Sequence, residues 1–95
     1  METIVVLNNK VEKELKKLPK HILFQFDLWV EIIETDGLQA MRRINGYRDH
    51  ALKGDRKGQF SSSLSRSWRI IYSLDKKNNL ILVEVLEVNH HEYKK

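Results

Sequence analysis

The sequence predicts an α+β domain: an N-terminal strand, a two-helix hairpin, then a mainly antiparallel twisted sheet, in the order β-α-α-β-β-β. Three observations carry this. A β-branched run, TIVVL, opens the chain. Apolar residues then recur at helical spacing on both sides of the single proline, Pro19. After Gly58 the pattern changes to alternation, in QFSSSL and WRIIYSL, followed by the apolar run LILVEVLEV. The 95 residues suit one domain over residues 1–95 and leave no room for two.

Thr3 to Leu7 reads as the opening strand. Asn8 or Asn9 can cap the first helix, in which Val11, Leu15 and Leu18 share a face. Pro19 has no amide hydrogen, so it ends that helix and suits the first turn of the next. The second helix runs from Lys20 to about Thr35, with Leu23, Phe26, Val30 and Ile33 toward the core, and stops at Gly37. A second apolar stripe, Phe24, Leu28 and Ile32, follows another face of that helix. One stripe suffices for a surface helix, so this one either packs inside the domain or meets a partner.

Between Gly37 and Gly46 the pattern gives one helical turn over Leu38 to Met41, then a loop. From Gln59 to Leu64, Phe60, Ser62 and Leu64 share one face and Ser61 and Ser63 the other. From Trp68 to Leu74, Trp68, Ile70, Tyr72 and Leu74 oppose Arg69, Ile71 and Ser73. Leu80 to Val88 is apolar on both faces apart from Glu84 and Glu87, as a central strand should be. SRS and DKKNN supply the two hairpin links.

Composition removes several classes of function. Hydrophobic residues are 41% and charged residues 32%, a globular balance. The absence of cysteine excludes disulfides and thiolate metal sites, and the adjacent His90 and His91 would diverge in a strand; no metal or other cofactor is expected. The first apolar run is too short for a signal peptide, and nothing approaches the ~20 apolar residues of a membrane span. A cytoplasmic protein without membrane contact is expected. The GxxxxGK[ST] and GxSxG patterns are absent, which argues against a nucleoside triphosphate site and a serine-nucleophile elbow.

The charge is concentrated. Residues 42 to 69 hold eight Lys/Arg against two acids, a surplus of six where the whole chain has four, so the remainder is net negative. Such a patch favours a polyanion. With the apolar sets facing the helices, Ser61, Ser63 and Arg69 share the open face of the sheet. Lys53, Arg56 and Lys57 precede that strand in a loop containing Gly54 and Gly58, where backbone and cations can surround phosphate. Together these make a basic, hydroxyl-rich platform for a phosphodiester backbone. The tail, VNHHEYKK, is either a frayed end or places His91 and Tyr93 beside this face. There, a histidine, with a reference pKa of about 6.5, moves protons near neutral pH, and a tyrosine acts as acid, base or stacking surface.

The opening strand and helical hairpin, HALKGDRKGQFS, SLSRSWRIIY and the closing EVLEVNHHEY together resemble the RelE/ParE superfamily of toxins, nearest its HigB-like and RelE-like branch. The resemblance spans nearly the whole chain. It implies a RelE-like fold and metal-independent cleavage of mRNA in the ribosomal A site. It also implies a cognate antitoxin as regulator, with DNA contacted only through the toxin–antitoxin complex. By position, it implies catalytic roles for Lys53 and Arg69 on phosphate and for His91 and Tyr93 in proton transfer. One departure stands out: many relatives carry a basic residue where this chain has Ser63, and Arg66 in the turn is placed to compensate. Two rival functions remain. A ParE-like toxin acts on DNA gyrase without cutting RNA, and that branch usually lacks this set of four residues. A plain nucleic-acid-binding module would use the basic face for counterion release alone and would not need His91 or Tyr93.

Overall fold

The computed structural model describes residues 2–90. Strand β1 (Glu2–Leu7) leads into helices α1 (Asn9–Lys16), α2 (Lys20–Asp36) and the short α3 (Leu38–Arg42). Strands β2 (His50–Ala51), β3 (Gln59–Ser63), β4 (Trp68–Lys77) and β5 (Leu80–His90) follow, with 3₁₀ turns at Asn45–Tyr47 and Gly54–Arg56. The five strands form one sheet in the order β1-β5-β4-β3-β2, in which β1 pairs parallel to β5 and all other pairs are antiparallel. Among the described residues no helix is long and apolar enough to cross a membrane.

Local chemistry sets these boundaries. Asn8 caps α1, its Oδ1 accepting the Val11 amide at 2.8 Å. Pro19 occupies the N-cap of α2, and Gly37 ends that helix at φ 97°, a conformation L side chains resist. Asn78 and Asn79 both adopt positive φ, the backbone a two-residue hairpin needs, so β4 runs on to Lys77 rather than stopping at Leu74. The two-residue β2 was not expected from the pattern; it adds a fifth strand at the edge beside β3.

The helices cover one face of the sheet. Val11, Ile22, Phe26, Trp29, Ile33 and Met41 pack against Leu64, Ile70, Tyr72, Val83, Val85 and Val88. Each large side chain so buried contributes about 1.5–3 kcal/mol. On α2 the expected core stripe is corrected: Phe26 and Ile33 are buried, but Ile22 and Trp29 join them, while Leu23 and Val30 are only half-buried. Trp29 sits at the centre, stacked on Phe26 and edge-on to Tyr72 at 5.6 Å.

One irregularity decides what the other face carries. Along β5, Val83 and Val85 point inward, and strict alternation would point Glu87 and Asn89 inward as well. A bulge intervenes: Tyr72 pairs with Val85 and Ile71 with Glu87, so Leu86 has no partner on β4. Beyond it Val88 returns to the core opposite Ile70, and Glu87 and Asn89 emerge on the open face.

Candidate nucleic-acid interface

Pairing builds the floor of a cleft on that open face. One cross-strand row is His50, Ser61, Ile71 and Glu87, and the next is Ser63, Arg69 and Asn89. The cleft encloses about 390 Å³ and is lined by Arg48, His50, Arg66, Arg69, Trp68 and the serines 61, 63, 65 and 67. Among the described residues no carboxylate lines it, and three guanidiniums face a shared space. The turn that carries Arg66 is fixed by Ser65, whose Oγ accepts the amides of Ser67 and Trp68, each at 3.2 Å.

Arg69 is oriented through a chain of contacts. Its Nε donates to Asn89 Oδ1 at 3.3 Å, and Asn89 Nδ2 donates to Glu87 Oε1 at 3.1 Å. Arg56 Nη1 donates to Glu87 Oε2 at 2.9 Å and to Gln59 Oε1 at 3.3 Å. Burial alone would push the Glu87 carboxyl up; the hydrogen bonds and charge of Arg56, with Asn89 and Lys10, outweigh it and hold the carboxyl below its ordinary value. The acid behind Asn89 is thus occupied by Arg56, and among the described residues the hydrogen bond that orients Arg69 goes to a neutral amide. The Arg69 charge stays available to an anion.

The segment Arg48-Asp49-His50 is pinned from behind. The Asp49 side chain is 4% exposed and accepts from Ser62 Oγ at 2.6 Å, Tyr72 OH at 2.7 Å and Arg42 Nε at 3.1 Å. Arg42 also lies over the Phe60 ring, 4.5 Å from its centroid. Burial first, then the neighbouring Asp49, pushes the Tyr72 phenol well above its usual value against the opposing Arg42, so it stays a donor. Arg48 takes the left-handed conformation at φ 47°, and its carbonyl lies 2.8 Å from His50 Nδ1. A carbonyl only accepts, so the proton of this contact sits on Nδ1, and the tautomer so selected has its lone pair at Nε2.

Of the residues expected from the sequence, the structure brings Ser61, Ser63, Arg66 and Arg69 together in the cleft, with Ser61 buried in its floor. Lys53 and Lys57 flank the 3₁₀ turn at Gly54–Arg56, exposed and outside the cleft lining. Arg56 is tied to Glu87. His91 and Tyr93 lie outside the described residues. Phe24 is 65% exposed and Leu28 37%, whereas Ile32 is half-buried against the core. Leu28 and Ile32 form one wall of an apolar groove with Ile44 and Tyr47, and this groove reaches Ser63 at the cleft. Pattern reading missed Arg48, His50 and Asn89, which reach the site only through the pairing of β2 and the bulge of β5.

No family model matches the chain, and no curated protein matches its sequence. Solved structures do match its backbone. The archaeal RelE–RelB complex from Pyrococcus horikoshii OT3 contains a chain 24% identical, covering 95% of this chain and 96% of that one with a TM-score of 0.68. The YoeB/ParE toxin from Agrobacterium tumefaciens is 14% identical over 94% and 99% of the two chains, with a TM-score of 0.69. The DinJ–YafQ toxin–antitoxin complex of E. coli matches at 18% identity over 96% and 94%, with a TM-score of 0.69. The described residues therefore have the fold of the RelE/ParE toxins.

Proposed function

We propose that this protein is the toxin of a type II toxin–antitoxin system, a metal-independent endoribonuclease that cuts mRNA in the ribosomal A site. The observation that supports it most is the cleft itself: three arginines and a histidine of selected tautomer around a space that no carboxylate of the described residues lines. Such a site suits a phosphodiester that gains charge as it reacts.

In the reaction, a base removes the proton of a ribose 2′-OH, and the oxygen attacks the adjacent phosphorus. The P–O5′ bond breaks, an acid protonates the departing 5′-oxygen, and a 2′,3′-cyclic phosphate remains. Arg69, Arg66 and Arg48 stabilise the extra negative charge of the transition state. His50 Nε2 is placed to take the first proton, and His91 or Tyr93 is assigned the second. Lys53 holds a flanking phosphate from the rim. Flexible mRNA presents its 2′-OH in line only part of the time, so a ribosome that holds the codon still supplies the positioning. A cognate antitoxin silences the free enzyme, contacting the exposed apolar stripe at Phe24 and Leu28.

The test is cleavage of a defined mRNA by the purified protein with and without ribosomes. Wild type should cut only ribosome-bound mRNA, leaving cyclic phosphate ends, also when divalent ions are chelated and polyamines keep the ribosomes intact. Arg69→Ala should lose roughly 10²–10³-fold in rate, and His50→Ala roughly 10²–10⁴-fold. Cleavage untouched by both substitutions would sink this site, and growth arrest with gyrase inhibition but no RNA cleavage would point to the ParE-like activity.

A further inference from the structure

The solvent side of α1 is a row of lysines. Val11 is buried and Leu15 half-buried toward the core, which leaves Lys10, Lys13, Lys16 and Lys17 across the opposite side of the helix. All four are exposed, as is Lys20, which opens α2. The acids of α1 offset the row at Lys10 alone. Glu12 lies at its flank, and Glu14 turns toward β5, where its Oε1 accepts the Val88 amide at 3.2 Å. Its Oε2 stands 3.8 Å from Lys10 Nζ.

Helix stability does not account for this arrangement. The macrodipole favours Lys13 and Lys16 in the last turn of α1 but disfavours Lys10 in the first turn. It also disfavours Lys20 in the first turn of α2, which contains no acid. Like charges three and four residues apart weaken a helix further. The row also adjoins the cleft: Glu14 binds Val88, and the next residue, Asn89, orients Arg69. Cleft and row thus meet at the end of β5, where Glu14 and Glu87 are engaged by Lys10 and Arg56.

We propose that α1 is a second RNA contact, in which Lys10, Lys13, Lys16 and Lys17 hold phosphates of RNA extending beyond the cleft. This rests on the reading of the cleft as an RNA site. Lysines are point charges on flexible stems, and no aromatic side chain stands among them, so the contact reads no bases and acts through counterion release. RNA fits better than an acidic protein. The exposed residues of α1 are all polar or charged, and protein interfaces have an apolar or aromatic centre and are depleted in lysine.

The test uses Lys10→Gln/Lys13→Gln/Lys17→Gln, which keeps good helix formers, with folding checked by circular dichroism. The probes are two non-cleavable 2′-O-methyl RNAs, of about six and about thirty nucleotides, titrated across salt. The triple variant should bind the long RNA about tenfold more weakly, with the slope of log affinity against log salt smaller by about two, and bind the short RNA as wild type does. Unchanged affinity and slope for the long RNA would overturn the proposal, and so would an equal loss on both lengths. Arg69→Ala separates the two readings: if it leaves short-RNA binding intact, the cleft reading fails while the α1 contact still stands on the long-RNA result.

Discussion

Asn89 holds Arg69 through a neutral amide oxygen, 3.3 Å from Nε, and the carboxylate behind that amide belongs to Arg56. The arrangement fixes the direction of the guanidinium without neutralising it. Asn89→Ala should therefore lower the cleavage rate about tenfold to a hundredfold through misplacement of Arg69, with less effect on melting temperature. Asn89→Asp should lower it further, because a carboxylate there competes with the substrate for Arg69. Single-turnover rates on ribosome-bound mRNA check the order wild type, Ala, Asp.

The Glu87–Arg56 pair predicts an acid-sensitive contribution to stability. The carboxyl has a lower pKa folded than unfolded, so its contribution is complete above the ordinary value of 4.5 and is lost as pH falls through the lower folded value. Urea midpoints measured from pH 6 down to pH 3 should fall less steeply for Glu87→Gln than for wild type. Parallel curves would mean that this pair does not couple to folding.

Asp49 anchors three donors at once. Asp49→Ala leaves Arg42, Ser62 and Tyr72 without their acceptor in a largely buried setting, and the expected loss is about 3 kcal/mol of unfolding free energy. Asp49→Asn, which keeps one acceptor oxygen, should fall between. Chemical denaturation measures both.

Phe24 and Leu28 test the partner surface. Both are exposed, so polar replacements should alter stability by no more than about 0.5 kcal/mol. Affinity for the proposed antitoxin partner, by calorimetry, should drop at least tenfold for Phe24→Ser/Leu28→Ser. Wild-type affinity in that variant would leave the basic face as the site where the antitoxin acts.

Much of this fold was legible because alternation and helical spacing are local. Phe60, Ile70 and Tyr72 pointed to the helices, and Ser63 and Arg69 to the open face, as their parity required. The core face of α2 was harder to read. Ile22, Leu23, Phe24, Phe26, Leu28, Trp29 and Val30 crowd one helix, so spacing alone fits several faces, and only packing against Tyr72 selects Trp29. Arg48 and His50 sit in an irregular segment with no period; a two-residue strand brings them to the site. Glu84 and Glu87 did leave a clue, for two acids three apart cannot both leave the core of a regular strand.

The unpaired Leu86 works as a phase change within a single strand. Upstream of it β5 supplies the core with odd-numbered side chains, and downstream with even-numbered ones. Removing that one residue would set Val85 and Glu87 side by side opposite Tyr72 and Ile71 with every face unchanged. Straightening the strand with Leu86 kept would instead drive Glu87 and Asn89 inward and set Val88 on the cleft floor. Substitutions can drift along either stretch while leaving the other intact, but ironing out the bulge with all of its residues kept would cost the protein its core packing and its cleft floor in the same stroke.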